Sequence, residues 1–246
     1  MSLVAIDIGT TLIKCGRFID NELEETWHYR TKDSAGIGGD LVKRVSKDEI
    51  ALSSVAPQAT ADLEKAFGRS VFKVTPEGQN FIQDFHPSYG ADSVCDAVAA
   101  RELYAKNKNL AVFALGTCTA LTTVSAQGIV GGGFITLGYH SMINGLKIAA
   151  QLTSTVEDVD YKKFDLDYGY TTNDQIMNGT ALAQIGIVEQ WLKLTQEKMG
   201  NVVSVATGGN ANRLLDTKMG KIVDHLDPHL TINGVRLIYN ASRNKG

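Results

Sequence analysis

An unbroken apolar run, Leu3-Val4-Ala5-Ile6, ends at Asp7 and turns through Gly9-Thr10-Thr11 into a second apolar run. Two such runs joined by glycine and hydroxyl residues predict two strands and a tight turn. Mixed apolar and charged positions over Glu22–Thr31 predict a third, half-exposed strand, and the Gly- and Ser-rich stretch Lys32–Asp40 predicts a loop. Ile50–Val55 reads as a short strand, Pro57 is placed to start a helix over Gln58–Phe67, and Ser70–Val74 reads as another strand. Thr75–Tyr89 has no period and predicts a long loop that delivers the chain to Gly90-Ala91-Asp92-Ser93. From there Val94, Ala97, Val98 and Leu103 carry a helical pattern to about Lys106.

After the polar patch Asn107-Lys108-Asn109 the pattern starts again. Leu110–Leu115 is an apolar strand, Gly116-Thr117-Cys118-Thr119 repeats the glycine and hydroxyl turn, and a second strand runs to about Ser125. Gly128 turns into a third strand that reaches Gly131-Gly132-Gly133. Gly138–Leu152 is helical, and Thr153–Tyr170 is a loop rich in Asp and Tyr. Thr171-Thr172-Asn173-Asp174 supplies N-cap chemistry to a long helix running towards Lys198. Asn201–Ala206 is a buried strand that ends in the turn Thr207-Gly208-Gly209-Asn210, and a last helix covers Asn233–Asn240. Strands in succession followed by strand, helix and strand predict an α/β fold with mixed sheets. The recurrence predicts a duplicated fold of two subdomains, 1–108 and 109–246, with a cleft between the halves.

Composition narrows the class of function. At 246 residues, 43% hydrophobic and 21% charged, the chain sits near the averages of globular proteins, and no segment has the apolar length of a membrane span. A net charge of −3 without a Lys/Arg cluster disfavours nucleic acid as a partner. No basic and apolar leader precedes the first strand, so a cytoplasmic location is expected. Cys15, Cys95 and Cys118 are unpaired in spacing and sit among apolar neighbours, as buried reduced thiols do. His225 and His229 are separated by Pro228, which makes a shared helical face for a metal a poor expectation.

The candidate chemistry lies in the turns. Gly9 permits close backbone approach, while Thr10, Thr11 and exposed turn N–H groups offer donors to an anion. Asp7 can hold a divalent cation through water, and Lys14 adds positive charge. The same residues also suit a plain glycine turn with a solvated Asp and Lys. Asp92, near a helix N-terminus, is either a functional carboxylate or one of the first-turn acids that the helix dipole favours. The Gly208-Gly209 turn entering a helix suits the approach of backbone to a ligand such as a nucleoside.

The ordered set of these features resembles the acetate and sugar kinase, Hsp70 and actin superfamily, with duplicated ribonuclease H-like domains, and more narrowly the type III pantothenate kinases. The residues that carry the resemblance are Asp7-Ile8-Gly9-Thr10-Thr11 with Lys14, Ser53 to Pro57, Gly90-Ala91-Asp92 running into Asp96-Ala97-Val98-Ala99-Ala100, Gly116-Thr117 with Thr119, Gly132 to Ile135, Thr172 with Gly179, and Thr207-Gly208-Gly209. The resemblance implies that Asp7, Ile8, Gly9, Thr10, Thr11, Leu12, Ile13, Lys14 and Thr117, with Gly208 and Gly209, bind ATP, and that Asp7 holds Mg²⁺. It further implies that Gly90, Ala91, Asp92 and Ser93 line a pantothenate pocket with Asp92 as proton acceptor. Thr172 would touch substrate across the interface of a homodimer.

Four positions depart from the family pattern: Ser93 where Arg usually follows the catalytic Asp, Ala114 where an acid thought to hold K⁺ or NH₄⁺ usually stands, Thr10 for Asn, and Leu137 for Pro. The expected activity is ATP-dependent phosphorylation of pantothenate to 4′-phosphopantothenate, the first step of coenzyme A biosynthesis. The alternatives are an impaired nucleotide-binding regulator, or a kinase for another small hydroxyl substrate.

Overall fold

The structure, a computed structural model, describes residues 2–150, 168–215 and 222–244. The chain divides into two units, Met1–Leu103 with His229–Gly246, and Tyr104–Pro228.

In the first unit β1 (Ser2–Ile8), β2 (Leu12–Ile19) and β3 (Glu22–Arg30) form an antiparallel meander, and β4 (Glu49–Ser54) and β5 (Phe72–Lys73) add in parallel on the other side of β1. The order is therefore β3-β2-β1-β4-β5. The central strand β1 is buried from Leu3 to Ile8, as expected for a strand with neighbours on both sides and helices on its faces. Edge strand β3 alternates exposed and half-buried residues along its whole length. Helix α1 (Ser34–Arg44) precedes β4, and α2 (Pro57–Phe67) starts with Pro57 in its first turn and ends at Gly68 with φ of 60°. Pro pre-sets the first helical φ, and Gly accepts the left-handed cap. Helix α3 (Ala91–Tyr104) follows the long loop.

The second unit repeats this topology. β6 (Asn109–Leu115), β7 (Cys118–Val124) and β8 (Val130–Leu137) form the meander, β9 (Val202–Thr207) lies parallel to β6, and β10 (His225–Leu226) lies parallel to β9. The order β8-β7-β6-β9-β10 matches the first sheet strand for strand. Helices α4 (Tyr139–Ala149), α5 (Thr172–Met199) and α6 (Gly209–Leu215) belong to this unit. Thr171 caps α5 in a capping box with Asp174, where hydroxyl and carboxylate each accept the other's backbone N–H.

Each sheet has its own apolar core. Val4, Ile6, Ile8, Leu41, Leu52 and Leu63 are buried together in the first unit, and Phe113, Leu115, Leu121, Tyr139, Ile185 and Leu214 in the second. The sheets and their flanking helices are those of the duplicated ribonuclease H-like fold.

Four expectations are corrected. Lys32–Asp40, read as a loop, is mostly the 3₁₀ turn Thr31–Asp33 and the start of α1. Glycine lowers helix propensity, but Gly38 lies so near Ala66 of α2 that a Cβ would stand 2.6 Å from the alanine's, so packing overrides propensity. The expected halves, 1–108 and 109–246, assign the last helix to the second half. Helix α7 (Leu230–Arg243) instead packs against β1 and β4, with Tyr239 edge-on to Phe72 of β5 at 5.5 Å. Nothing in a linear pattern says which of two similar sheets an amphipathic helix will cover. Finally Cys118, expected to be buried, is exposed at the first position of β7, whereas Cys15 and Cys95 are buried. The third strand of the second half also runs on past its glycines to Leu137. The predicted loop Thr153–Tyr170 falls almost wholly on 151–167, outside the described residues.

Candidate active site

The first hairpin closes on the pair Ile8 and Ile13, and the Gly9 N–H donates to the Leu12 carbonyl at 3.0 Å. Thr31, the residue after β3, donates its hydroxyl to the Gly9 carbonyl at 2.7 Å and its N–H to the Thr11 carbonyl at 3.0 Å. Thr10 and Thr11 stand exposed at the tip. Asp7 lies directly across from Lys14 on β2 and from Ser53 on β4, so the three side chains share one face of the sheet.

Asp7 is 7% exposed, and its Oδ1 is buried with no hydrogen-bond partner among the described residues. Burial pushes its carboxyl up to about 7; Lys14 pulls it down and Asp92 adds to the rise. An orphaned buried carboxylate oxygen of this kind fits a divalent cation, which would restore the anion and supply the missing electrostatic partner. Among the described residues no group of three or more His, Cys, Asp or Glu is arranged to hold a metal ion by itself, so Asp7 would share its cation with water and phosphate.

Helix α3 brings the second carboxylate. It begins at Ala91 and is buried over most of its surface, from Val94 through Ala100, so its position is set by packing on several sides. Asp92 is half-buried in the first turn, and its Oδ1 accepts the Ser93 N–H at 2.7 Å. Burial raises its carboxyl above the ordinary range, while the hydrogen bonds from Ser93 oppose that rise. Gly90 has no Cβ, which would otherwise run into this carboxylate. One turn on, Asp96 is buried and accepts the Thr231 hydroxyl at 2.7 Å. Its carboxyl is pushed well above the usual range, first by burial and then by Asp92. Asp7, Asp92 and Asp96 thus stand in one another's field, with Lys14 as a positive charge nearby.

In the second unit the corresponding hairpin closes on Leu115 and Thr119, and the Gly116 N–H donates to the Cys118 carbonyl at 2.9 Å. The residue after β8 repeats the work of Thr31: the Gly138 N–H donates to the Thr117 carbonyl at 2.9 Å. Ser141 donates its hydroxyl to that same carbonyl at 2.7 Å, and the Asn210 amide donates to the Gly116 carbonyl at 2.8 Å. Gly208, with φ of 100°, presses against the backbone of Leu115, so a Cβ there would collide with it. The tip residue Thr117 is exposed, as is Gly209 at the start of α6. Thr172 is the exposed first residue of α5.

The residues singled out from the sequence therefore form two groups. Asp7 to Lys14 and Gly90 to Ser93 lie in the first unit, and Thr117, Gly208, Gly209 and Thr172 in the second. Sequence reasoning missed Thr31, Asn210 and the Asp96–Thr231 pair. Asn210 adjoins a recognised glycine turn, and Asp96 is an acid among small apolar residues, so each had a signal. Thr31 had none apart from strand register.

Comparison with known proteins places the chain in a family. The family model for type III pantothenate kinase matches residues 3–193. A type III pantothenate kinase of Dehalococcoides mccartyi is 29% identical, with 98% of each chain covered. One of Anaeromyxobacter sp. is 30% identical, over 98% of this chain and 100% of its own. Among solved structures, a ROK hexokinase from Thermus thermophilus superposes with a TM-score of 0.54 at 17% identity, covering 100% of both chains. The ethanolamine utilization protein EutJ from Carboxydothermus hydrogenoformans does so at 0.58 and 14%, over 97% of this chain and 90% of its own. These two likenesses support the fold. The matched span, more than half of the chain, and the near full-length relatives establish that this chain belongs to the type III pantothenate kinase family.

Proposed function

We propose that the chain is an ATP-dependent pantothenate kinase in which Asp92 accepts the proton of the primary hydroxyl and Asp7 holds Mg²⁺ through water. The reaction is the transfer of the γ-phosphoryl group of ATP to pantothenate, giving 4′-phosphopantothenate in the first step of coenzyme A biosynthesis. The observation that carries the residue assignment is the pairing in one unit of an orphaned buried Asp7 with a half-buried Asp92. Phosphoryl transfer needs in-line positioning and neutralisation of charge more than covalent participation by the protein. Asp7 would hold a divalent cation, which would supply part of that neutralisation when bound. The turn N–H groups and the hydroxyls of Thr10 and Thr11 orient phosphate oxygens, with Lys14 adding positive charge. Ile8, Leu12 and Ile13 hold the strands that present them. The substrate hydroxyl attacks phosphorus, the bond to the bridging oxygen breaks, and the hydroxyl proton passes to Asp92, whose raised proton affinity suits it to that role.

Thr117, Gly208 and Gly209 are read as ATP-binding residues as well. Gly90, Ala91 and Ser93 line the acceptor site, and Ser93 leaves a substrate carboxylate without the guanidinium usual in the family. With Ala114 in place of an acid, we infer that turnover does not depend on K⁺ or NH₄⁺. We also infer a cytoplasmic homodimer in which Thr172 reaches the acceptor of the other copy. An apolar groove of about 550 Å³ between α4 and α5, lined by Leu137, Met142, Leu146 and Ile176, supports such an interface. Of its lining, Leu137 and Leu146 are 52% and 44% exposed, which is costly unless covered. Among the described residues no helix is long and apolar enough to cross a membrane. The test is incubation with ATP, Mg²⁺ and pantothenate, with the phosphorylated product followed by mass spectrometry. Pantothenate-dependent product is expected, and its absence in Na⁺, K⁺ and NH₄⁺ buffers alike would contradict the proposal.

A further inference from the structure

We propose that Asp96 and Thr231 are positioning residues for the phosphoryl transfer, forming the joint by which the C-terminal helix fixes the first turn of α3 and with it Asp92. The inference rests on the reading of Asp92 as proton acceptor.

Asp96 follows Asp92 by one helical turn and lies on the same side of α3. It is 4% exposed, and its described partner is the neutral hydroxyl of Thr231, itself 8% exposed, at 2.7 Å. A carboxyl in such a place costs stability that an apolar residue of similar size would not, the more so with Asp92 and Asp7 in its field. Stability alone therefore does not account for it. A directional bond adds something to the packing of α3. Val94, Cys95 and Val98 are buried along with Ala91, Ala97, Ala99 and Ala100, and these apolar contacts place the helix without direction, whereas the bond at Asp96 sets its rotation and its position along its own axis.

Thr231 is well placed to provide the lock. It sits in the first turn of α7, just after the chain returns to the first unit at His229. Three residues later Gly234 lies against the backbone of Cys95, so closely that a Cβ would collide with the Cys95 carbonyl. Backbone contact at Cys95 and a hydrogen bond at Asp96 hold the two helices at one point, a single turn from Asp92. The Asp92 carboxylate is in turn tied to the Ser93 N–H, so it moves with the helix and not independently of it. Displacement of a reacting group by about 1 Å can cost about 10²-fold in rate.

The test uses the full chain with Thr231→Val and Thr231→Ala, which remove the hydroxyl, and Thr231→Ser, which keeps it. We expect Val and Ala to lower kcat by about tenfold or more while the KM for ATP stays within about twofold, and Ser to restore kcat to within about twofold. Loss of Tm with kcat retained would overturn the proposal, as would failure of Ser to restore kcat, or failure of both hydroxyl-free variants to fold. Asp92→Asn, assayed alongside, separates the two ideas: if it keeps its turnover, the role of Asp92 is wrong whatever Thr231 does.

Discussion

At the end of β1 stands Asp7, with Lys14 across the hairpin and Ser53 on the parallel neighbour; at the matching positions of the second unit stand Ala114, Ala120 and Thr207. The backbones around these residues correspond closely. In each unit the turn glycine donates to the carbonyl of the first residue of the next strand, and the residue after the third strand donates to the carbonyl of the tip threonine. The first turn is one residue longer, carrying Thr10 as well as Thr11. One scaffold thus appears twice, once with a buried acid and a cation, and once with neither. The difference teaches that strand register and turn geometry repeat without the side chains: under the proposed function both turns offer backbone to phosphate, and the acid opposite the first turn is what would fit that one to a metal. Rigidity is divided differently too. Thr31 fastens the first turn by side chain, Ser141 and Asn210 both fasten the second, and Gly138 and Gly208 crowd the backbone of the second.

The largest effect should come from removing the charge that distinguishes the hairpins. Asp7→Asn is expected to lower kcat/KM by about 10²–10³-fold, the usual scale for losing one group that stabilises developing charge. Thr207→Val, at the corresponding rim of the second unit, should cost less than about tenfold. Steady-state kinetics that show equal losses would break the contrast.

The next effect is a dependence of stability on pH. The folded carboxyl of Asp7 is raised to about 7 from 3.8, so between those values the folded protein binds more protons than the unfolded one. Stability without divalent cation should then fall as pH rises from about 4 to about 7, by up to a few kcal/mol. Mg²⁺ should reverse this, raising Tm more at pH 8 than at pH 5. Differential scanning fluorimetry of the wild type and Asp7→Asn checks it: the variant should lose the Mg²⁺ response and the Asp7 share of the slope, keeping what the raised carboxyls of Asp92 and Asp96 contribute, and a slope unchanged in the variant would assign it to those two groups.

Steric crowding gives a smaller contrast. Gly208→Ala combines a positive φ with a backbone collision and should cost about 1–3 kcal/mol, or a fall in Tm of about 2–12 °C. Gly9→Ala meets the Leu12 carbonyl at 3.1 Å without a positive φ and should cost about 1 kcal/mol or less. Equal thermal shifts would show that the two turns are equally tight. Smallest of all is the response to monovalent cations. Because Ala114 offers no carboxylate, exchange of Na⁺ for K⁺ should change turnover by less than about twofold, and a strong activation by K⁺ would place a cation site elsewhere.

How far this was legible from the chain depends on distance in sequence. The strands, both hairpins and α3 follow from runs of apolar residues and from glycine and hydroxyl turns, which are local signals. The capping of α5 by Thr171 and the Pro57 start of α2 were legible for the same reason. Helix α1 was not, because its glycines argue against a helix until the alanine of α2 that needs the space is known. Nor was the destination of α7, since either sheet could have taken its apolar face. Asp7 and Asp92 were found as separate motifs. That they share a field, and that Asp96 and Thr231 meet across 135 residues of chain, became visible only once strands and helices were in place.

The central claim is that Asp92 takes the proton of the acceptor hydroxyl. Its most direct test is the rate of pantothenate-dependent ADP release by the wild type and by Asp92→Asn, with ATP affinity measured in parallel. The expected result is a loss of about 10²-fold or more in kcat with ATP binding unchanged. An Asp92→Asn enzyme that turns over pantothenate at the wild-type rate would contradict it.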